Sequence, residues 1–227
     1  MSRDIDLASI GFDDPTRFLN RDVQWLQFNR RVLAQSMDES MALLERVRFL
    51  SITSSNLDEF IMKRIGGLKR RTRLGLGSQA WEQQSPEQQL EALRSVILEL
   101  NEIQKNTFRT EIMPALNEAG IHLVGWHDLT SRQQVDAEAW YRENVFPILT
   151  PLSVDPGHRF PFISNLSVSI GVMLRRAGET EELFARVKIP EVPARLFSID
   201  GSTTFIPVRE IIEHNLGDLF PGMEILK

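Results

Sequence analysis

Apolar residues recur every three or four positions through the first half of the chain, the spacing of helices with one buried face. Trp25, Phe28 and Val32, with Leu26 and Leu33 alongside, predict a first helix over Asp22 to Gln35. Leu43, Val47 and Leu50, with Leu44 beside them, form a second stripe that should pack against the first. Leu57, Phe60, Ile61, Ile65 and Leu68 continue the period, with the stem of Arg64 able to lie along it. Between these stripes, Ser54-Ser55-Asn56 reads as a break, with Asn56 as the cap and Glu59 its capping-box partner. Asp58 and Glu59 suit the start of the following helix, Lys69, Arg70, Arg71 and Arg73 suit its end, and Gly75 and Gly77 stop it. Ser85-Pro86-Glu87-Gln88 then opens a long helix carried by Leu90, Leu93, Ile97 and Leu100 to about Met113, where Pro114 should bend or end it.

From Ile121 the period shortens. Ile121 to Val124 predicts a short strand, and Ser131 to Asn144 a helix with Val135, Ala139 and Trp140 inward. Leu166 to Leu174 and Leu183 to Ile189 alternate as strands, and Arg195 to Ile199 and Thr204 to Val208 flank the hairpin turn Asp200-Gly201. A last helix, about Arg209 to Leu216, carries Ile211, Ile212 and Leu216. The fold class is therefore α+β: a disordered tail over 1–16, an N-terminal antiparallel helical domain over 17–120, and a truncated α+β domain over 121–227 with a mainly antiparallel sheet.

Composition narrows the function classes. The 227 residues carry 26 Lys and Arg against 31 Asp and Glu, a net charge of −5 that argues against a general nucleic-acid coat while allowing local basic patches. There is no cysteine, which excludes disulfides, thiolate catalysis and Cys-ligated zinc. No apolar run approaches the ~18 residues of a membrane span, and the polar Met1 to Pro15 has no signal-peptide core, so a cytoplasmic protein is expected.

Two features carry possible chemistry. If the Asn56 oxygen caps a helix, its amide nitrogen keeps donors for a neutral acceptor such as a purine ring nitrogen or a ribose oxygen. Asp58 and Glu59 at the same helix end would repel a phosphate there. The bland alternative is that Asn56 is only a cap. The second feature is the basic run Lys63, Arg64, Lys69, Arg70, Arg71 and Arg73, either a guide for a polyanion or a solvated helix end. Gly66-Gly67 within it suggests close approach of another backbone. His122, His127, His158 and His214 stand without the neighbours that would activate a nucleophile. No phosphate loop, dinucleotide fingerprint, Ser elbow or His-Glu-x-x-His pair occurs, so no catalytic and no metal-binding residues are expected in this chain.

Longer runs place these features in a family. Asn20-Arg21-Asp22, Trp25-Leu26-Gln27-Phe28-Asn29-Arg30-Arg31-Val32-Leu33, Leu44-Glu45-Arg46-Val47-Arg48-Phe49-Leu50 and Ser55-Asn56-Leu57-Asp58-Glu59-Phe60 together resemble the N-terminal domain of the class-1 polyphosphate kinases. Ile148 to Leu166, containing Thr150-Pro151-Leu152-Ser153-Val154-Asp155-Pro156-Gly157-His158, is similar to that family's next, or head, domain. Ile61 replaces an expected aromatic and Arg159 an expected proline. The resemblance implies an ATP-polyphosphate phosphotransferase working reversibly with Mg2+ through a phosphohistidine. That histidine and the arginines holding magnesium and phosphate belong to two C-terminal domains, so the chain is expected to be an N-terminal fragment, inactive alone. It further implies that Asn56 contacts the nucleotide, that Lys63, Arg64, Lys69, Arg70 and Arg71 could guide the polyanion, and that the head domain forms a homo-oligomer. The partners are then ATP, ADP and polyphosphate, without nucleic acid. The rival reading is a non-catalytic module that self-associates or binds a polyanion.

Overall fold

Asn20 caps the first helix, accepting hydrogen bonds at its side-chain oxygen from the backbone N–H groups of Asp22 and Val23, at 2.9 and 3.1 Å. The computed structural model describes residues 20–77, 84–154, 160, 162–191 and 193–226. The tail 1–16, His158 and Arg159 lie outside them. The chain divides into two compact units, Met1–Leu116 and Asn117–Lys227.

The first unit is helical: α1 (Arg21–Gln35), α2 (Leu43–Phe60), α3 (Gly66–Arg73), α4 (Pro86–Thr107) and the start of α5 (Met113–Glu118). Leu26, Leu33, Leu50, Leu57, Phe60, Leu68, Leu93, Leu100 and Ile112 form its core, each at most 6% exposed. Ser85 and Gln88 close the expected capping box ahead of α4. The C-terminus of α3 ends as glycine allows: the Gly75 N–H donates to the Thr72 carbonyl and the Leu76 N–H to that of Arg71, with Gly75 at φ 65°.

The expected break at Ser54-Ser55-Asn56 is absent, because α2 runs straight through it. Side chains that would compete for the backbone are engaged elsewhere. The Thr53 hydroxyl donates back to the Phe49 carbonyl, and Gln104 of α4 donates to the Leu50 carbonyl and the Ser54 hydroxyl, at 2.8 and 2.7 Å. Asn56 and Glu59 therefore form no capping box; Glu59 pairs with Lys63. The irregularity comes later, as a π-helical turn over Ile61–Ile65 that passes directly into α3.

A second π turn, Phe108–Ile112, lies between α4 and α5. Pro114 does not end the helix as expected. Proline lacks an N–H and crowds the carbonyl of residue 110, and the wider turn just before it accommodates both. Each π turn delivers a charged side chain to a partner across the unit: Arg64 to Asp22, and Glu111 to Arg46 at 3.0 Å. The stem of Arg64 does not simply lie along the stripe.

In the second unit, β2 (Pro151–Val154), β4 (Glu182–Lys188), β3 (Ser169–Arg176) and β7 (Met223–Ile225) form an antiparallel sheet in that order. A smaller sheet pairs β1 (His122–Leu123) parallel to β6 (Thr204–Pro207), which pairs antiparallel to β5 (Leu196–Ser198). The turn between β5 and β6 holds Asp200 and Gly201 at φ 54° and 64°, the left-handed pair expected of a hairpin. The helices are α6 (Ser131–Asn144), α7 (Val208–His214) and α8 (Leu216–Leu219). Val172, Ala185, Val187, Ile206, Ile211 and Ile212 are fully buried in the core.

Three expectations are corrected here. On α6 the fully buried residues are Ala137 and Tyr141; Trp140 packs partly buried against the same core as expected, while Val135, 62% exposed, and Ala139 face out. Residues 137 and 141 share a face at a spacing of four, and the bulk of Tyr141 sets the phase. β3 begins at Ser169 rather than Leu166, which stands at φ 58° and cannot continue a strand. The helix expected over Arg209 to Leu216 ends at His214, where the Asn215 side chain donates to the Ile211 carbonyl at 2.8 Å, and Leu216 opens the separate α8.

Candidate functional site

α1 and α2 meet along an antiparallel seam of polar and aromatic rungs. At one end the Arg46 Nε donates to the Ser36 carbonyl at 2.8 Å. At the other, Arg64 donates twice to the Asp22 carboxylate, at 2.8 and 3.0 Å, in the fork-on-fork geometry of a strong charged pair. Just inside that end, Trp25 stacks on Phe60 with ring centroids 4.6 Å apart and 15° between planes. The middle rung holds Asn29 and Asn56.

Asn29 is fully buried, a polar residue inside an otherwise apolar face between Leu26 and Leu33. Its Nδ2 donates to the Thr53 carbonyl at 3.1 Å, and its Oδ1 accepts from the Asn56 Nδ2 at 3.0 Å. Asn56 is half-buried, and its Oδ1 accepts no hydrogen bond among the described residues. The side chain thus presents a carbonyl oxygen and one remaining N–H, an acceptor and a donor side by side. The expectation of an oxygen used for capping and a free amide nitrogen is reversed, and with α2 continuous no helix N-terminus exists here to attract or repel a phosphate.

The basic run is only partly available. Lys63 is held by Glu59 and Arg64 by Asp22, while the Arg71 guanidinium donates to the Gly77 carbonyl at 3.0 Å. Lys69, Arg70 and Arg73 are exposed on α3, without an ion pair among the described residues. A Cβ at Gly66 would lie 3.8 Å from the Ile61 carbonyl oxygen, an ordinary contact, and one at Gly67 would meet nothing within 4 Å, so no close backbone approach among the described residues explains either glycine.

The described histidines build no nucleophile. His122 Nδ1 lies 3.2 Å from the Asn117 oxygen, His214 stacks on Trp126 at 4.1 Å, and His127 is exposed in a short turn. Among the described residues, no group of three or more His, Cys, Asp or Glu side chains could hold a metal ion. No described helix is long and apolar enough to cross a membrane.

Sequence reasoning missed Asn29 and Asp22. The available signal was an asparagine and an aspartate on the inward face of an amphipathic helix, where a buried polar group needs a specific partner.

The chain is similar to known proteins in sequence and fold. The family pattern described as Polyphosphate kinase N-terminal domain matches residues 18–124, and that described as Polyphosphate kinase middle domain matches 132–227. The polyphosphate kinase of Mycobacterium marinum is 42% identical over 221 residues and that of Mycobacterium tuberculosis 42% over 225, each alignment covering 93% of this chain and 30% of the relative. The crystal structure of polyphosphate kinase from Porphyromonas gingivalis superposes with a TM-score of 0.79 at 26% identity, over 92% of this chain and 32% of that one. The chain therefore spans about 30% of the length of the curated relatives it matches.

Proposed function

Because the chain belongs to the polyphosphate kinase family, we propose that it acts as part of an enzyme that moves the terminal phosphate of ATP to polyphosphate, reversibly. Within that enzyme the helical residues 17–120 cover the nucleotide from one side, and 121–227 serve as a head domain through which the protein self-associates. Transfer through a phosphohistidine, and magnesium binding, are work for residues outside those described. An enzyme drawing on ATP in this way works in the cytoplasm.

The observation that carries this reading is the outward edge of Asn56. A neutral acceptor and donor, side by side and partly withdrawn from water, suit the amino and ring-nitrogen pair of a purine or a ribose hydroxyl better than a phosphate, which offers only acceptors. Lys69, Arg70 and Arg73 supply a separate cationic face whose attraction for polyphosphate acts at longer range.

A proton–nitrogen NMR titration of this chain with ATP tests the reading. Saturable shifts at the Asn56 side-chain amide and the backbone from Thr53 to Phe60 are expected, the backbone shifts needing about fivefold to tenfold more ATP in Asn56→Ala; no shift at millimolar ATP overturns it. These 227 residues by themselves are expected to make no polyphosphate, and ATP-dependent synthesis by them would refute the division of labour.

A further inference from the structure

We infer that Asn29 is a positioning residue for the ligand-facing edge of Asn56, an inference that rests on the nucleotide reading of that edge. An asparagine amide can turn over by 180° at little cost in shape, exchanging its oxygen and nitrogen, so a lone asparagine presents either edge. Here a chain of hydrogen bonds removes the choice. The Thr53 carbonyl can only accept, so Asn29, fully buried, must turn its Nδ2 toward it, at 3.1 Å. The Asn29 oxygen is then the atom that faces Asn56, and it too can only accept. Asn56 must answer with its Nδ2, at 3.0 Å, which directs its own oxygen outward.

The polarity of the binding edge is therefore set one residue behind it, in the core, by a backbone carbonyl on the same helix as Asn56. The arrangement depends on α2 running unbroken from Thr53 to Asn56, which keeps the carbonyl of one and the side chain of the other at a fixed spacing. Neighbouring rungs hold that spacing: the Trp25–Phe60 stack lies one turn beyond Asn56 on α2, and the fully buried Leu33 one turn beyond Asn29 on α1. Asn29 itself, enclosed on all sides, cannot touch a ligand.

The test begins on the unaltered chain. Nuclear Overhauser contacts from the Asn56 side-chain amide protons to α1, with slow exchange of the proton facing Asn29, are expected. Contacts that put the Asn56 oxygen toward Asn29 overturn the proposal whether or not any variant folds. In Asn29→Leu these contacts vanish and ATP affinity in the same titration falls about twofold, because the released Asn56 amide presents the binding edge only about half the time, whereas Asn56→Ala loses about fivefold to tenfold, the worth of one neutral hydrogen bond. The fall should be smaller than that of Asn56→Ala, and the double variant should be no weaker than Asn56→Ala alone, since without the Asn56 side chain there is no edge for Asn29 to orient. Leu33→Ala loosens the same seam one turn away and leaves affinity unchanged, which a purely structural role for Asn29 would not allow. A folded Asn29→Leu with unaltered affinity overturns the proposal. If Asn56→Ala itself binds ATP as well as the unaltered chain, the nucleotide reading falls, and the orientation of the amide protons alone decides the role of Asn29.

Discussion

Asp22, near the start of α1, and Arg64, inside the π turn after α2, are joined by two hydrogen bonds of 2.8 and 3.0 Å although 42 positions separate them. The aspartate side chain is 9% exposed and the arginine 41%. Cutting this pair leaves the more deeply placed carboxylate only the exposed Arg21, 3.7 Å away, whereas replacing both members removes the poorly met charge. Arg64→Ala should lower stability by about 1–2 kcal/mol, discounted for the exposed side of the pair, and Asp22→Asn/Arg64→Ala by less than the two single changes summed. Urea unfolding of the four proteins measures this. Additivity would show that the pair contributes nothing beyond its separate side chains.

Tyr141 gives a pH prediction. It is fully buried, its hydroxyl has no hydrogen-bond partner among the described residues, and it is the single tyrosine of the chain. Burial, with a smaller push from Asp218 and an opposing pull from Arg142, raises its pKa to about 12. The folded state thus holds the phenol proton more tightly than the unfolded state. Stability is unaffected by this group below pH ~10 and falls as pH rises from ~10 to ~12, by on the order of 2–3 kcal/mol. Tyrosinate absorbance should rise only above the ordinary tyrosine range while the protein stays folded, and Tyr141→Phe should abolish this part of the alkaline loss. Ionisation near pH 10 in the folded protein would sink the argument.

Gly171 lies opposite Arg186 in the larger sheet, and a Cβ there would come within 3.0 and 3.2 Å of the Phe184 ring. That ring stacks on Phe160 with centroids 5.9 Å apart, so retreating from the new Cβ would disturb this contact. Gly171→Ala should cost about 1–3 kcal/mol by overpacking, despite alanine's better backbone entropy. Thermal denaturation decides it: an unchanged or raised midpoint would mean that the ring yields freely.

Arg46 links two elements by different chemistry. It is 8% exposed, donates to the Ser36 carbonyl at the end of α1, and pairs with Glu111 in the second π turn. Arg46→Met keeps the stem and removes both bonds, leaving the Ser36 carbonyl unmet, and should destabilise the helical unit by about 1–3 kcal/mol. Hydrogen exchange should locate the loosening at the α1 C-terminus and residues 108–112, and protection unchanged at both places would contradict it.

Much of this was legible along the chain. The helices from Asp22, Leu43 and Pro86, the alternation of β3 and β4, and the Asp200-Gly201 hairpin follow from side-chain spacing and from local capping and turn chemistry, which act over a few residues. The family runs, too, are contiguous, and Asn56 was singled out on its position in one of them.

What Asn56 does was decided only in three dimensions. From the sequence, Ser54-Ser55-Asn56 reads as a helix start, because those side chains compete with the backbone when nothing else engages them. Packing against α1 and α4 supplied partners 27 and 50 positions away, Asn29 for Asn56 and Gln104 for Ser54, and the competition ended in favour of an unbroken helix. The same holds for the π turns: Arg64 and Glu111 are aimed at charges remote in sequence, and no local pattern encodes a partner that only folding brings near. Spacing along the chain fixed which faces are apolar, and tertiary contact fixed which way the buried amides and charges point.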